Sequence, residues 1–219
     1  MRKREDTTPT VDISGYGYNA VRLSHSHDYL LSTVLKFLDE YSQNSANKKI
    51  FELGCGNGSV ADVLTKIGWV VVGVDPSSSG IAQANRAFPT IRLEQGSTLD
   101  DLAGLYGQFP VVLSLEVIEH VYSPRQYAET VFKLTAPGGS AIISTPYHGY
   151  WKNLALAISG KLDAHFTALW EHGHIKFWSI RTLVELLRDA GFVNLRFFRV
   201  GRVPPLAKSV VVVAQRPLK

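Results

Sequence analysis

Residues 50–59 read Ile50-Phe51-Glu52-Leu53-Gly54-Cys55-Gly56-Asn57-Gly58-Ser59. The apolar residues at the start predict a short buried strand, and the run from Ser59 to about Ile67 predicts a helix that ends at Gly68. Three glycines lie between the two elements. Glycines at a strand-to-helix turn let the backbone approach a ligand and leave the first N–H groups of the helix free. The stretch therefore predicts a ligand-binding loop at the end of a strand.

The same rhythm of strands and helices continues after this loop. Apolar runs predict strands at 69–74, 91–93, 111–115 and 140–144, and helices are predicted after Ser77, at 100–106 and at 124–134. Alternation of this kind is typical of a parallel sheet with helices on both faces. Two final strands, at 193–200 and 209–214, are separated by Pro204-Pro205 and predict an antiparallel hairpin at the sheet edge.

The domain organisation is expected to be simple. Residues 1–24 are polar and predict a flexible N-terminal arm, and residues 25–219 predict a single domain. The alternation of strands and helices stops at about 147–177, a segment rich in aromatic residues and histidines. We interpret this segment as an insertion. Within it, residues 151–162 carry leucines and an isoleucine that fit a helix.

Composition excludes several classes of protein. With 45% hydrophobic and 19% charged residues among 219, the chain is not expected to be disordered. No apolar run approaches the roughly 18–20 residues of a membrane span, and no apolar core follows the charged N-terminus, so no secretory signal is expected. The single cysteine, Cys55, excludes an internal disulfide. We expect a soluble, cytoplasmic protein.

The charge balance gives little support for nucleic-acid binding. The chain has 23 Lys and Arg against 19 Asp and Glu, a net charge of +4, and the excess lies near the two ends of the chain. An ordinary solvated surface explains this excess.

An acidic residue on each side of the glycine loop indicates the type of cofactor. Asp75 ends the next predicted strand, where a carboxylate accepts hydrogen bonds from a ribose diol. A dinucleotide loop has the pattern G-x-G-x-x-G/A, whereas here the spacing is G-x-G-x-G and Ser59 stands at the third small position. Glu52 lies two residues before the first glycine, which disfavours a pyrophosphate and favours a cationic amino-acid group.

Four motifs in order resemble those of a known family. They are E-L-G-C-G-N-G at 52–58, G-V-D-P at 73–76, L-S-L-E-V-I-E-H at 113–120 and L-x-x-P-G-G-x-x-I-I-S-T-P at 134–146. The chain resembles the class I S-adenosylmethionine-dependent methyltransferases over about residues 27–214, and within them the ubiquinone-biosynthesis O-methyltransferases. The resemblance implies a Rossmann-like, doubly wound α/β sheet of seven strands in the order 3-2-1-4-5-7-6, with strand 7 antiparallel.

The resemblance also implies which residues bind S-adenosylmethionine. From its methionine end to its adenine and back to the sulfonium, these are Glu52, Gly54, Cys55, Gly56, Asp75, Pro76, Ser97, Thr98, Leu115 and Glu116. Asp75 is expected at the ribose hydroxyls. Ser97 and Thr98 stand where relatives usually have an acid that contacts the adenine, so a hydroxyl is expected to replace it.

Glu116, Glu119 and His120 predict a metal site if the segment that carries them is helical, because the i, i+3, i+4 spacing then places them on one face. Two carboxylates and an imidazole suit Mg²⁺, Mn²⁺ or a similar divalent cation. The same E-x-x-E-H pattern occurs in ubiquinone-pathway O-methyltransferases and in terminal 2′-O-methyltransferases of small RNAs. The resemblance implies a metal that binds the substrate oxygens, with His174 as a fourth ligand.

Two alternatives to the metal remain open. In the first alternative, Glu116 only borders the cofactor, and Glu119 and His120 cap and pair within the fold. In the other, His120 or His174 is a general base that works without a metal.

The function expected from the sequence is methylation of a hydroxyl on a small aromatic, lipid-like or sugar molecule. In this fold an insertion such as 147–177 covers the acceptor pocket as a lid, and its aromatic residues either line that pocket or pack the insertion onto the sheet. Ribose 2′-O-methylation of RNA is the first alternative, disfavoured because the chain shows no appended RNA-binding module. An NAD-dependent oxidoreductase and a catalytically silent cofactor-binding protein are the others. The sequence leaves the oligomeric state and O- versus N-methylation open.

Overall fold

The computed structural model of the chain describes Tyr18, residues 20–170 and residues 173–219. Most of the predicted arm at 1–24 lies outside the described residues, and so does His172. Within the described part, seven strands form one sheet in the order β3-β2-β1-β4-β5-β7-β6. The strands are β1 (Lys49–Leu53), β2 (Val70–Asp75), β3 (Arg92–Gln95), β4 (Phe109–Leu115), β5 (Thr135–Pro146), β6 (Val193–Val200) and β7 (Ser209–Gln215).

Strand pairing confirms the predicted topology. Strands β1 to β5 pair in parallel, whereas β7 is antiparallel to both β5 and β6. Every residue of β7 from Ser209 to Ala214 is buried, which explains its unbroken run of valines, because both faces of this strand are covered. The predicted C-terminal hairpin is therefore present, with its second strand inside the sheet and β6 at the edge.

Helices cover both faces of the sheet. The described helices are α1 (His27–Asn44), α2 (Ser59–Lys66), α3 (Ser78–Ala87), α4 (Leu102–Tyr106), α5 (Pro124–Leu134), α6 (Tyr150–Ile158), α7 (Leu162–Phe166) and α8 (Ile180–Asp189). Apolar residues of α1, α2 and α3 share one core layer, and those of α4, α5 and α8 share the other. None of the helices in the described ranges is both long and apolar enough to cross a bilayer.

Side-chain caps define two of the helix starts that the sequence predicts. The Ser77 hydroxyl accepts a hydrogen bond from the Gly80 N–H at 3.1 Å, and Ser179 forms a reciprocal capping box with Thr182. Such caps satisfy N–H groups that a helix leaves unpaired at its start. The Ser77 cap fixes the start of α3 directly after Asp75.

The parallel strands place the predicted cofactor residues on one side of the sheet, where the carboxyl ends of the strands lie. Strands β1, β2 and β4 are parallel neighbours that end at Leu53, Asp75 and Leu115. The carboxyl ends of parallel strands meet at the same edge, which is where ligands bind in open α/β sheets. The insertion enters after β5, and neither α6 nor α7 contributes a buried residue to the core.

Candidate functional site

The glycine loop is tied to the neighbouring strand by its backbone. The N–H groups of Gly54 and Cys55 both donate to the carbonyl of Val74, at 2.8 and 3.0 Å. Gly54 has φ +87°, and a β-carbon there would collide with the Val117 side chain. Both the backbone conformation and the close approach therefore require glycine at this position.

Glu52 is a buried carboxyl group without a full set of partners. Its side chain is 3% exposed, and Oε2 accepts no hydrogen bond from the described residues. Burial, together with the neighbouring Asp75 carboxylate, raises the pKa of Glu52 well above its ordinary value. A buried carboxyl with an unsatisfied oxygen is destabilising unless a cation pairs with it. The ammonium group of a methionine moiety fits this requirement.

Asp75 holds the loop as well as offering oxygen atoms to a ligand. Its Oδ2 accepts from the N–H of Gly56 at 2.9 Å, and its Oδ1 accepts from the N–H of Ser77 at 2.8 Å. Each carboxylate oxygen can accept more than one hydrogen bond, so the predicted bonds to a ribose diol remain compatible with this arrangement. Asp75 connects the glycine loop to the start of α3.

Three other predicted cofactor residues differ in what they expose. The Cys55 side chain packs under the loop, 2.8 Å from where a β-carbon of Gly73 would lie, and burial raises the pKa of its thiol well above the ordinary value. The thiol of Cys55 is therefore buried in the loop, and its role in cofactor binding stays a prediction. Leu115 is buried at the end of β4, and the Pro76 carbonyl accepts from the Gln95 side chain at 3.2 Å.

The loop after β3 contains a carboxylate that sequence reasoning missed. The Ser97 hydroxyl accepts from the N–H of Leu99, and the Thr98 carbonyl accepts from the Thr130 hydroxyl. The N–H of Ser97 donates to Oδ2 of Asp100 at 2.7 Å. The carboxylate of Asp100, three residues after Ser97, thus lies in the same loop as the two predicted hydroxyls, whose contact with the adenine stays a prediction. The signal was the exposed Asp100 directly after the loop.

Tyr18 lies over the glycine loop. Its ring is 2.9 Å from where a β-carbon of Gly80 would lie, and it also contacts the position of a β-carbon on Gly56. The Gln83 side-chain amide donates to the Tyr18 carbonyl. These contacts bring a residue of the predicted arm against the cofactor loop.

Glu116 begins a turn, not the helix on which the predicted metal face depended. Its φ of 54° is left-handed, and the N–H of His120 donates to the Val117 carbonyl in a tight turn. Glu116 Oε1 accepts from the Ser144 hydroxyl at 2.8 Å and Oε2 from the Ser209 hydroxyl at 3.3 Å. The helical geometry was wrong because the chain reverses directly after the strand end.

Three of the four predicted metal ligands nevertheless come together. Ligand atoms of Glu119, His120 and His174 all lie within 4.8 Å of one another. Both Glu119 oxygens are buried and accept no hydrogen bond from the described residues. Glu116 is not part of this group, and its role as a ligand stays a prediction.

The chemistry of this group fits a divalent cation. Burial is the main cause that raises the pKa of Glu119 well above its ordinary value, and the Glu116 carboxylate adds to this effect. Burial is the main cause that lowers the pKa of His174 to about 4, and His120 adds to this effect. The imidazole of His174 is therefore neutral and able to donate a lone pair. A carboxylate and imidazole nitrogens form the donor set of many divalent metals.

Backbone hydrogen bonds bring His174 to the turn. The N–H groups of Ile175 and Lys176 both donate to the Glu119 carbonyl, at 2.9 and 3.0 Å, and the indole N–H of Trp178 donates to the Ile118 carbonyl at 3.4 Å. The rings of His120 and His174 then lie with their centroids 4.9 Å apart. The end of the insertion is held on the turn by these bonds.

A cavity of about 450 Å³ lies beside the histidines. It is lined by Tyr29, Glu116, Pro146, His148, Lys152, Ala155, Leu156, Ser159, His165, His174, Phe177, Arg202, Leu206, Lys208 and Ser209. Its size is that of a site for a small organic molecule. Sequence reasoning missed its basic residues, Lys152, Arg202 and Lys208, because they come from separate segments of the chain.

Sequence comparisons identify relatives of known type. A family model described as a methyltransferase domain matches residues 23–196. The ubiquinone biosynthesis O-methyltransferase of Ruegeria pomeroyi is 33% identical over 153 residues, 67% of this chain and 60% of that protein. The Psychrobacter arcticus protein of the same name is 29% identical over 156 residues, 68% of this chain and 60% of that protein. The matched part spans about 60% of the length of these curated relatives.

Solved structures share the fold at low sequence identity. The methyltransferase domain of a bacterial Hen1 has a TM-score of 0.63 at 23% identity and covers 84% of this chain and 96% of that one. Magnesium protoporphyrin IX methyltransferase from Synechocystis, with bound SAH, has a TM-score of 0.61 at 19% identity and covers 84% and 82%. These similarities agree with the observed strand order.

Proposed function

The chain belongs to the methyltransferase-domain family, and from that premise we propose that it transfers a methyl group from S-adenosylmethionine to a hydroxyl oxygen of a small molecule. One observation carries the proposal. The unpaired carboxyl of Glu52 and the loop held by Asp75 lie at the ends of β1 and β2, while the Glu119, His120 and His174 group follows the end of β4 and borders a cavity. The proposal takes the first group as the cofactor site and the second as the acceptor site, because β1 and β4 are neighbouring strands.

The cofactor side of the site needs only the chain's own acids. Bound S-adenosylmethionine supplies a methyl group that is already electrophilic. Glu52 pairs with its ammonium group, which satisfies the orphaned Oε2, and Asp75 accepts hydrogen bonds from the ribose hydroxyls. The protein's main contribution is then to align the acceptor oxygen with the methyl carbon.

The acceptor side removes a proton. The acceptor oxygen forms a bond to the methyl carbon as the sulfur–methyl bond breaks. The hydroxyl proton passes to a nitrogen of His120 or His174 where these histidines hold no cation, and to solvent water where they do. A divalent cation held by Glu119, His120 and His174 would lower the pKa of the acceptor hydroxyl. Without a cation, His174 has a weakly basic imidazole, since burial lowers its pKa to about 4, and this favours the cation-assisted route.

The insertion covers the acceptor in this proposal. Lys152, Ala155 and Leu156 of α6 line the cavity, as do His165 of α7 and Phe177 at the end of the insertion. Residues 25–219 act as one domain with the 147–177 segment as its lid. The names of the curated relatives, ubiquinone biosynthesis O-methyltransferases, support an oxygen atom as the methyl acceptor. The cytoplasmic location stays a prediction.

A transfer assay tests the proposal. The protein is incubated with S-adenosylmethionine labelled in the methyl group and a panel of catechols and phenols, with added Mg²⁺ or with excess chelator. We expect label in a phenol ether, lost with chelator, while calorimetry shows that the demethylated product SAH still binds. Binding of NAD with no binding of SAH would contradict the proposal. SAH binding without transfer to any acceptor would support the catalytically silent alternative.

RNA is a second candidate acceptor for one reason. His174 joins Glu119 and His120, as the resemblance to small-RNA 2′-O-methyltransferases implies. A short RNA with a free 3′-terminal ribose is therefore included in the panel. Transfer to its 2′-hydroxyl in place of the phenols would select this candidate.

A further inference from the structure

Positive charge converges on the acceptor cavity. Three basic residues line it, Lys152 from α6, Arg202 from the turn after β6 and Lys208 just before β7, whereas Glu116 is the one acidic residue among the described residues of the lining. Within the described part of the chain, none of the three cations has a carboxylate within ion-pair distance. The described lining therefore has more cations than anions.

Contacts with uncharged groups hold two of the three cations at the cavity. Lys152 Nζ donates to the carbonyl of Tyr147 at 2.8 Å, and its charge is repelled by the nearby Arg202 and attracted by Glu116. Lys208 Nζ lies 5.3 Å from the centre of the Tyr29 ring and 3.3 Å from Nε2 of His25. Arg202 is exposed at the mouth. Cations that repel one another in a partly desolvated space favour binding of an anion.

The other ionisable groups that face the cavity do not cancel this charge. Burial lowers the pKa of His148 to about 4 and lowers that of His165, and a histidine ring carries no negative charge in either protonation state, so these rings do not offset the three cations. Glu116 supplies at most one negative charge, and both of its oxygens already accept from serine hydroxyls. The described residues of the lining therefore carry a formal net charge of about +2, from three cations and one carboxylate.

We propose that the cavity binds the oxyanion of an acidic acceptor, a carboxylate or phosphate held by Lys152, Arg202 and Lys208, while the ring or apolar body of that acceptor lies against Phe177 and Leu156. The proposal rests on the proposed function and narrows its substrate class. The guanidinium of Arg202 matches the geometry of either oxyanion, and the two lysines act as point charges. A cavity of about 450 Å³ accommodates a single-ring molecule with its acid group.

Equilibrium binding tests the charge requirement without relying on transfer. The probes are 3,4-dihydroxybenzoate and 3,4-dihydroxybenzamide, which differ in charge and are nearly equal in size, titrated by calorimetry into the protein with SAH and Mg²⁺. We expect the carboxylate to bind about tenfold more tightly than the amide, the size of effect that a charge-assisted hydrogen bond produces. Phenyl phosphate against phenol is the second pair, and it distinguishes phosphate from carboxylate.

Single substitutions identify the source of any preference. Arg202→Met and Lys208→Met are expected to lower affinity for the preferred anion about five- to tenfold and to change amide affinity less than twofold. Lys161→Met is the matched control, because it removes one positive charge from the exposed loop between α6 and α7 and does not line the cavity. Lys208→Arg should restore most of the affinity. Circular dichroism confirms that each variant is folded, and Arg202→Met, at an exposed position, is the variant least able to disturb the fold.

The outcomes separate this inference from the proposed function. Equal binding of both members of each pair, or equal loss in Lys161→Met and Arg202→Met, overturns the oxyanion site. A preference for the anions together with a failure of methyl transfer supports the site and contradicts the proposed function. Tight binding of a short RNA that depends on Arg202 and Lys208, while neither small pair discriminates, replaces the small acid with an RNA phosphate and overturns the proposal as stated.

Discussion

The cofactor side and the acceptor side of the site are built in different ways. On the cofactor side, Asp75 joins Gly56 to Ser77 through two short hydrogen bonds, all within neighbouring strand ends. On the acceptor side, the turn that carries Glu119 meets residues 174–178 through backbone bonds between segments more than fifty residues apart. The cofactor side is formed by the strand ends of the sheet, whereas the acceptor side forms only when the insertion is in place.

This difference predicts that the two sides respond separately to change. Asp75 and the glycine loop are not part of the Glu119, His120 and His174 group, so loss of one site should leave the other nearly intact. Sites that share no hydrogen-bond partner or ligand are expected to behave nearly additively. Substitutions on each side test that separation.

Glu119→Gln should lower the affinity for a divalent cation at least about 100-fold, because the charged oxygen donor is lost while the side-chain volume is kept. Mn²⁺ titrated by calorimetry measures the effect, and SAH affinity should change less than about twofold. Glu129→Gln, at an exposed position on α5, is the control. Glu116→Gln tests the fourth ligand, since a comparable loss would add Glu116 to the group. Unchanged Mn²⁺ affinity in Glu119→Gln, with full transfer in excess chelator, would establish a metal-free histidine base.

Asp75→Ala should lower SAH affinity by about 10- to 100-fold, or about 1.5–3 kcal/mol, through loss of charge-assisted hydrogen bonds. The variant should also be less stable by about 1–2 kcal/mol, because the N–H groups of Gly56 and Ser77 lose their acceptor. Denaturant unfolding measures the second effect. Asp75→Asn keeps one acceptor oxygen and should fall between the wild type and the alanine variant. Mn²⁺ affinity should stay within about twofold, and a larger loss would show that the two sides are coupled.

The sequence predicted the cofactor side better than the acceptor side for a physical reason. Glycine spacing and a strand-end acid report local backbone geometry, so the positions of Glu52, Gly54 and Asp75 at the strand ends were predicted correctly, while their contacts with the cofactor stay predictions. The helical face of Glu116 was wrong because nothing local marks the left-handed turn there. The placement of His174, the acid at Asp100 and the meeting of Lys152 with Arg202 depend on long-range packing, which has no periodic signal in the chain.

The buried carboxyl of Glu52 should make the stability of the cofactor-free protein depend on pH. Its folded pKa is raised well above 4.5, so above that pH the folded state holds a proton that the unfolded state has released. The free energy of unfolding then falls as pH rises towards the folded pKa, by about 1.4 kcal/mol per pH unit for this one group. Glu52→Gln lacks this titration and should gain stability relative to the wild type as pH rises.

Thermal unfolding of both proteins between pH 5 and 8 measures that difference. Other acids are common to the two proteins, so their contributions cancel in the comparison. SAH should narrow the stability gap in the wild type, because its ammonium group favours the ionised carboxylate, and Glu52→Gln should bind SAH more weakly. A gap that is constant with pH would show that Glu52 does not hold the extra proton.

Trp178→Phe is expected to have the smallest effect. It tests the hydrogen bonds that join the end of the insertion to the turn at 117–120. The substitution keeps an aromatic ring and removes the indole N–H that donates to the Ile118 carbonyl at 3.4 Å. Because this bond is long, its loss should cost only about 0.5–1 kcal/mol of stability. Mn²⁺ affinity should fall about two- to fivefold, since His174 lies four residues away on the same segment, and SAH affinity should not change. A loss of SAH affinity with unchanged Mn²⁺ affinity would mean that Trp178 supports the cofactor side, contrary to the separation of the two sides.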